Sequence, residues 1–287
     1  MMNNSLDEST RTRLGAPALA VVSGVSMYAG AAIAVGLFAT HPPAVVAWLR
    51  IAAGALILLL IHRPRIRDFL GISGRDAAVY GLFTMAMNMT FYVSINHLPL
   101  GTAVAIEFLG PIAVAAWGSR SRRDWTALAL AATGVVVISG ASWSTSAVGI
   151  VFALLAGAMW AGYILTGTRI AGDAGSSGTS MAVGFTWASL AALPFVALHQ
   201  FRAPDTDANL LIMAVLALGL GFFSSVVPYS LDQVVMRWAG PGYFAVLQAI
   251  LPVVAAVVGA IALRQFLTLP EMIGVALVVT AVVLKRP

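Results

Sequence analysis

Apolar side chains run through this chain in long unbroken stretches, and the polar residues gather in short clusters between them. A helix that crosses the hydrocarbon core of a membrane needs about 20 apolar residues, within a range of roughly 17–25. The pattern predicts ten such helices, at about 15–38, 44–61, 77–95, 102–117, 125–139, 148–168, 181–198, 210–231, 243–262 and 271–284. The fourth and fifth are short, the fourth preceded by Pro99 and Gly101 and the fifth by Asp124. The runs are continuously apolar and do not alternate, which predicts helices and not the strands of a barrel. The expected fold class is therefore all-α integral membrane, one domain over 1–287 with no appended soluble domain.

Composition narrows the function. Of 287 residues, 60% are hydrophobic and only 9% charged, whereas soluble domains carry roughly 25% charged residues. An ordinary cytosolic enzyme and a disordered linker are excluded on that ground. So is a nucleic-acid partner, despite a pI near 10.1, because the Lys and Arg residues are scattered between apolar runs. The absence of cysteine excludes a disulfide framework, a thiolate metal site and a cysteine nucleophile. No zinc-binding or phosphate-binding motif is present, and His41, His62, His97 and His199 are too dispersed for a metal site, so neither metal nor cofactor is expected.

Cytoplasmic segments of membrane proteins are enriched in Lys and Arg. With the N-terminus inside, thirteen basic residues fall on the cytoplasmic side: Arg11, Arg13, Arg63, Arg65, Arg67, Arg75, Arg120, Arg122, Arg123, Arg169, Arg237, Lys285 and Arg286. Only Arg202 and Arg264 fall outside, and Arg50 lies within a span. Both termini are expected in the cytoplasm, and the first apolar run is a retained helix and not a cleaved signal.

Ten spans with both ends inside divide into two five-helix halves of opposite orientation, about 15–139 and 148–284, an arrangement common among transporters. A shift of 141 residues superposes Gly101 on Gly242, Glu107 on Gln248, Pro111 on Pro252, Gly118 on Gly259 and Arg123 on Arg264. The fourth span of each half thus repeats glycine, a polar residue and proline in fixed order, which points to a central cavity between the halves.

Glu107 is read as the one acid deep in a span, the other ten lying in loops, at termini or at span ends. A charge there costs at least about 2.5–3.5 kcal/mol on insertion scales, so it must face a cavity or a partner, or be protonated. Pro111 has no N–H, leaving the Glu107 carbonyl without a helical donor, and Pro252 does the same to Gln248. Three roles are open to Arg50: holding a substrate carboxylate, pairing with Glu107, or pinning helix-end carbonyls. Asn88 and Tyr92, four apart, and Trp160 and Tyr163, three apart, each share a helix face and suit the wall of a wet cavity. Small residues at four-residue spacing, such as Gly157 with Ala161, mark close helix packing.

Residues 88–115, NMTFYVSINHLPLGTAVAIEFLGPIAVA, together with 48–58, 159–172 and 226–236, resemble the EamA-type branch of the drug/metabolite transporter superfamily. Within it, the likeness is greatest to the threonine/homoserine exporters of bacterial inner membranes. The resemblance implies two inverted five-helix repeats around a cavity, and export of small metabolites, typically amino acids. Its motif positions here are Arg50, Asn88, Tyr92, Glu107, Pro111, Trp160, Tyr163, Arg169, Pro228, Tyr229 and Asp232. The family usually carries an acid directly before the proline of the ninth span, where this chain has Leu251, and a Gly-Glu where it has Arg264-Gln265. The expected function is secondary export of small amino acids by alternating access. Its partners are the lipid bilayer, a small-molecule substrate and protons as coupling ion. Substrate-binding or coupling roles are expected for Glu107, Arg50, Asn88, Tyr92, Trp160, Tyr163, Tyr229 and Gln248, and helix breaks at Pro111, Pro228 and Pro252. A passive facilitator and an exporter of other metabolites or drugs are the alternatives. An intramembrane enzyme using Glu107 lacks a second catalytic group.

Overall fold

The computed structural model describes residues 15–38, 41–117, 121–172, 176–200, 210–248 and 251–284. Of the residues used above, Arg11, Arg13, Gly118, Arg120, Arg202, Lys285 and Arg286 lie outside them. The described residues form helices and their connections, with no strand among them. The helices are α1 (Ala16–Leu37), α2 (Pro43–His62), α3 (Gly71–Ile95), α4 (Leu100–Glu107), α5 (Leu109–Trp117), α6 (Arg122–Ala171), α7 (Ser177–Gln200), α8 (Leu210–Gly221), α9 (Val227–Leu247), α10 (Leu251–Leu263) and α11 (Leu269–Leu284). A short 3-10 turn, Ile66–Phe69, precedes α3, and a π-helical turn, Phe222–Val226, joins α8 to α9.

Local sequence explains where helices begin and bend. Prolines open α1 and α2, where the fixed φ suits the first turn and no N–H is needed. Helix α6 is broken at Ser146 (φ −162, ψ 74). Helix α9 is kinked at Gly240, whose φ of +71 is open to glycine at no steric cost. Pro111 interrupts the fourth span at Phe108, between α4 and α5. The eighth span, expected to end at residue 231, instead continues as helix through Asp232 and Gln233 to Trp238.

Six stretches are long and apolar enough to cross a membrane: Ala16–Leu37, Pro43–His62, Gly71–Ile95, Ser146–Ala171, Ser177–Leu198 and Ala214–Trp238. Four apolar helices are shorter, Leu100–Val114, Trp125–Gly134, Leu251–Leu263 and Leu269–Ala281. The outward faces carry exposed Ile33, Leu60, Ile61, Trp117, Leu198 and Ile261, while Arg50, Asn88, Glu107 and Asp232 are buried. Such an apolar exterior over a polar interior suits lipid as solvent. The protein is an all-helical integral membrane protein.

Glycine lets the helices approach closely. A Cβ on Gly81 would collide with the Gly184 carbonyl between α3 and α7, and one on Gly110 with the Gly157 carbonyl between α5 and α6. Without a hydrophobic driving force between helices in lipid, such backbone contact is what holds them together. Helix α1 packs on α9 and α10, α2 on α7, α3 on α6, and α4 on α10. Two hydrogen bonds join residues 141 positions apart: Asn88 Nδ2 to the Tyr229 hydroxyl at 2.6 Å, and Trp48 Nε1 to the Ser189 carbonyl at 2.9 Å.

Candidate functional site

The helices enclose a cavity of about 30 Å³ lined by Met27, Tyr28, Arg50, Met87, Asn88, Phe91, Glu107, Trp160, Tyr163, Tyr229, Asp232 and Gln248. Seven of the eight side chains expected to bind or couple line it, and the eighth, Tyr92, is hydrogen-bonded to Arg50. A single water takes up roughly 10–15 Å³ of such space, so in this conformation the cavity is too small to hold an amino acid.

Arg50 is the most heavily engaged residue, only 1% exposed. Its Nε donates to Ser225 Oγ at 2.9 Å, Nη1 to the Tyr92 hydroxyl at 3.2 Å, and Nη2 to the Tyr229 hydroxyl at 3.5 Å and to the Ser224 carbonyl. The rings of Tyr92 and Tyr229 lie 5.6 and 5.8 Å from the guanidinium carbon, within cation–π range. The local cause is Pro228. Its missing N–H leaves the carbonyl four residues earlier, that of Ser224, without its helical donor. The backbone widens into the π turn, and Arg50 supplies the hydrogen bond. Glycines make room: a Cβ on Gly30 would meet Ser224, and one on Gly54 would come within 3.2 Å of Ser225 Cβ. Of the roles open to Arg50, direct pairing with Glu107 is not realised in this conformation, and pinning of a helix carbonyl is.

The cavity holds two acids where the sequence reading expected one. Glu107 is 5% exposed and Asp232 is 4% exposed. With the eighth span read as ending at residue 231, Asp232 falls just beyond its end; the helix in fact continues through Asp232 and Gln233 to Trp238, and both side chains are buried. Asp232 accepts hydrogen bonds from Ser23 Oγ at 2.8 Å and from the Tyr163 hydroxyl at 2.9 Å. Ser23 also reaches the Pro228 carbonyl at 3.2 Å. One signal was available: Tyr229 and Asp232 stand three apart, on one helix face.

Glu107 differs. No side chain or backbone N–H among the described residues donates to its carboxylate. The carbonyl freed by Pro111 lies against α6, where a Cβ on Gly157 would come within 2.6 Å of it. Gln248, its counterpart under the 141-residue shift, is 2% exposed, and its Oε1 has no hydrogen-bond partner. Both thus line the cavity as acceptors without donors. Asn88 bonds the Thr84 carbonyl at 2.7 Å as well as Tyr229, and Trp160 packs edge-on against Phe108 at 5.6 Å. Pro252 sits in the first turn of α10, just beyond Gln248.

A helical membrane bundle with charged side chains around a central cavity has a place for a small polar solute, and comparison with known proteins specifies the class. The model of the EamA-like transporter family matches residues 147–285. The threonine/homoserine exporter RhtA of Salmonella typhimurium (strain LT2) is 35% identical over 259 residues, which cover 89% of this chain and 86% of that protein. The threonine/homoserine exporter RhtA of Escherichia coli (strain K12) is 34% identical over 266 residues, covering 91% and 88%. A solved crystal structure, 18% identical, matches with a TM-score of 0.64 over 95% of this chain and 98% of its own. The chain belongs to the EamA-like transporter family.

Proposed function

We propose that this protein exports small amino acids, threonine- or homoserine-like, or closely related metabolites across a bacterial inner membrane by alternating access. The observation that carries the reading is the buried Gln248 Oε1, which has no hydrogen-bond partner, facing the same cavity as the Glu107 carboxylate. A buried acceptor without a donor is costly, and a ligand bearing an ammonium supplies several N–H donors at once. The amino acid's carboxylate is met by Arg50 and by the hydroxyl hydrogens of Tyr92 and Tyr229. Trp160, Phe91 and Met87 form the apolar wall. The narrowness of the cavity requires that the bundle rearrange to admit the solute, as alternating access demands.

The rearranging units are two inverted five-helix halves. Several observations support this reading. The four short apolar helices are the fourth, fifth, ninth and tenth spans, so the long and short spans fall in the same order in each half. The backbone of the fourth span is interrupted at Phe108, just ahead of Pro111. Residues 141 apart meet directly at Asn88–Tyr229 and Trp48–Ser189, as repeat mates do only beside a two-fold axis. The family model's span also falls on the second half.

Transport in liposomes containing only the purified protein tests the function. L-Threonine and L-homoserine should accumulate against their gradients when a pH gradient is imposed and merely equilibrate without one. Equilibration under both conditions would identify a passive facilitator. No movement of any small amino acid would overturn the reading.

The orientation is tested separately, in a chain with no cysteine of its own. Ser176→Cys should react with an impermeant thiol reagent only from the cytoplasmic side, and Thr145→Cys only from outside. Labelling of the Ser176→Cys variant from outside would break the ten-span arrangement.

A further inference from the structure

A second polar site lies outside the cavity, and nothing above uses it. The Tyr80 hydroxyl and both the nitrogen and the oxygen of the Gln233 side-chain amide are buried without a hydrogen-bond partner. The Gln233 side chain and the Tyr163 hydroxyl both lie near enough to the Tyr80 hydroxyl for a long, weak hydrogen-bonding interaction, but none of these contacts has the geometry of a formed bond. Buried polar groups are almost always paired, so three such atoms in one place need a cause.

Their surroundings suggest one. Four rings close on one another: Tyr80 to Tyr163 at 5.4 Å, Tyr163 to Tyr229 at 5.5 Å, Tyr229 to Phe185 at 5.5 Å, and Phe185 to Tyr80 at 6.2 Å, the last pair parallel within 6°. Two of these rings, Tyr163 and Tyr229, also line the central cavity. On the other side, toward the connections after α2 and α6, lies a polar vestibule of about 400 Å³ lined by Asp68, Asp76, Arg169, Ser176 and Thr179, among others. Tyr163 and Tyr229 of this cluster face the cavity, and Tyr80 stands one helical turn from Asp76 of the vestibule. Helix α3 links them: Asp76 in the vestibule, Tyr80, Thr84, Asn88 in the cavity and Tyr92 recur every fourth residue, forming one inclined row on the helix surface. Tyr80 is about 6 Å along the helix from Asp76 and about 12 Å from Asn88, at 1.5 Å per residue. Gln233 lies one turn beyond Tyr229 on α9.

We propose that Tyr80 and Gln233 form a second, inner binding station for the solute, on the path between the vestibule and the cavity, whose hydrogen-bonding groups are used when the aromatic ring opens. A neutral hydroxyl and a primary amide offer donors and acceptors to both ends of a small zwitterion without holding either by charge. The solute is passed on to Glu107 and Arg50 and not trapped. The station rests on the transporter reading above and extends it to residues outside the cavity.

Because the chain has no cysteine, Gln233→Cys places a single thiol at the station. In liposomes holding the full chain, a small charged methanethiosulfonate should modify that thiol from the vestibule side, and saturating L-threonine should slow the reaction severalfold. Tyr80→Phe and Gln233→Leu remove unpaired polar atoms, so each should melt at or above the wild-type temperature while transporting threonine at least tenfold more slowly. A purely structural role would move the two readouts together. A thiol that reacts only after denaturation, or wild-type transport by both Tyr80→Phe and Gln233→Leu, would overturn the proposal. If the wild type carries no amino acid but the thiol reacts from the vestibule side, the wetted station stands and the amino-acid reading falls.

Discussion

Glu107→Gln should leave the protein folded and abolish coupled transport. The amide keeps the shape of the carboxylate and loses its charge, and no described protein donor has to be given up. A hydrogen bond to a charged group is worth about 1.5–3 kcal/mol, so binding of a substrate ammonium should weaken by roughly 10- to 150-fold. Coupling should be lost altogether, because an amide cannot carry a proton across. Glu107→Asp should retain part of the activity with an altered pH profile. If Glu107 served only to bond helices together, the outcome would reverse: Gln would be tolerated, and Asp, one methylene short, would be harmful. Initial rates in liposomes across about pH 5.5 to 8 separate the two, and a Gln variant transporting at the wild-type rate throughout would remove Glu107 from the mechanism.

The second large effect is expected at Arg50, where structure and transport are joined. Arg50→Lys keeps the positive charge but replaces a planar five-donor fork with a single ammonium. It cannot serve Ser224, Ser225, Tyr92 and Tyr229 together, and the carbonyl orphaned by Pro228 would be left poorly paired. A stability loss of about 1–3 kcal/mol is expected from these weakened bonds. Arg50→Leu should cost about 3–5 kcal/mol, since it also leaves the two cavity carboxylates without a buried counter-charge. Melting temperature in detergent and transport should therefore fall together in both variants, more steeply for Leu. A Lys variant with an unchanged melting temperature would show that the π turn does not depend on the guanidinium.

Much of this site could be read from the chain alone, and the gaps have identifiable causes. Glu107, Arg50 and Asn88 stood out because each is expensive in an apolar span, and expense in lipid marks an inward-facing position whatever the packing. Asp232 entered only as a motif position of the family resemblance, because it falls just beyond the apolar run that ends at residue 231. Its burial is made acceptable by Ser23 and Tyr163, partners more than 200 and nearly 70 residues away in sequence. The π turn was equally hidden: Pro228 is visible as a helix breaker, but the guanidinium that completes the break comes from α2. The counterpart relation of Glu107 and Gln248 was visible from the 141-residue shift. The same shift also pairs Asn88 with Tyr229, whose contact needed coordinates.

That Glu107 and Gln248 occupy one cavity bears on why a single long chain is used. Two identical half-length subunits related by a two-fold axis would place the same residue at both positions. Two carboxylates would then crowd a closed space of about 30 Å³, where like charges suppress each other's ionisation; two amides would offer no charge at all. On the proposed inverted-repeat arrangement, joining the halves would free the equivalent positions to diverge, so that one keeps the acid and the other becomes a neutral acceptor. The cavity can then meet a solute whose two ends differ, because it is itself lopsided.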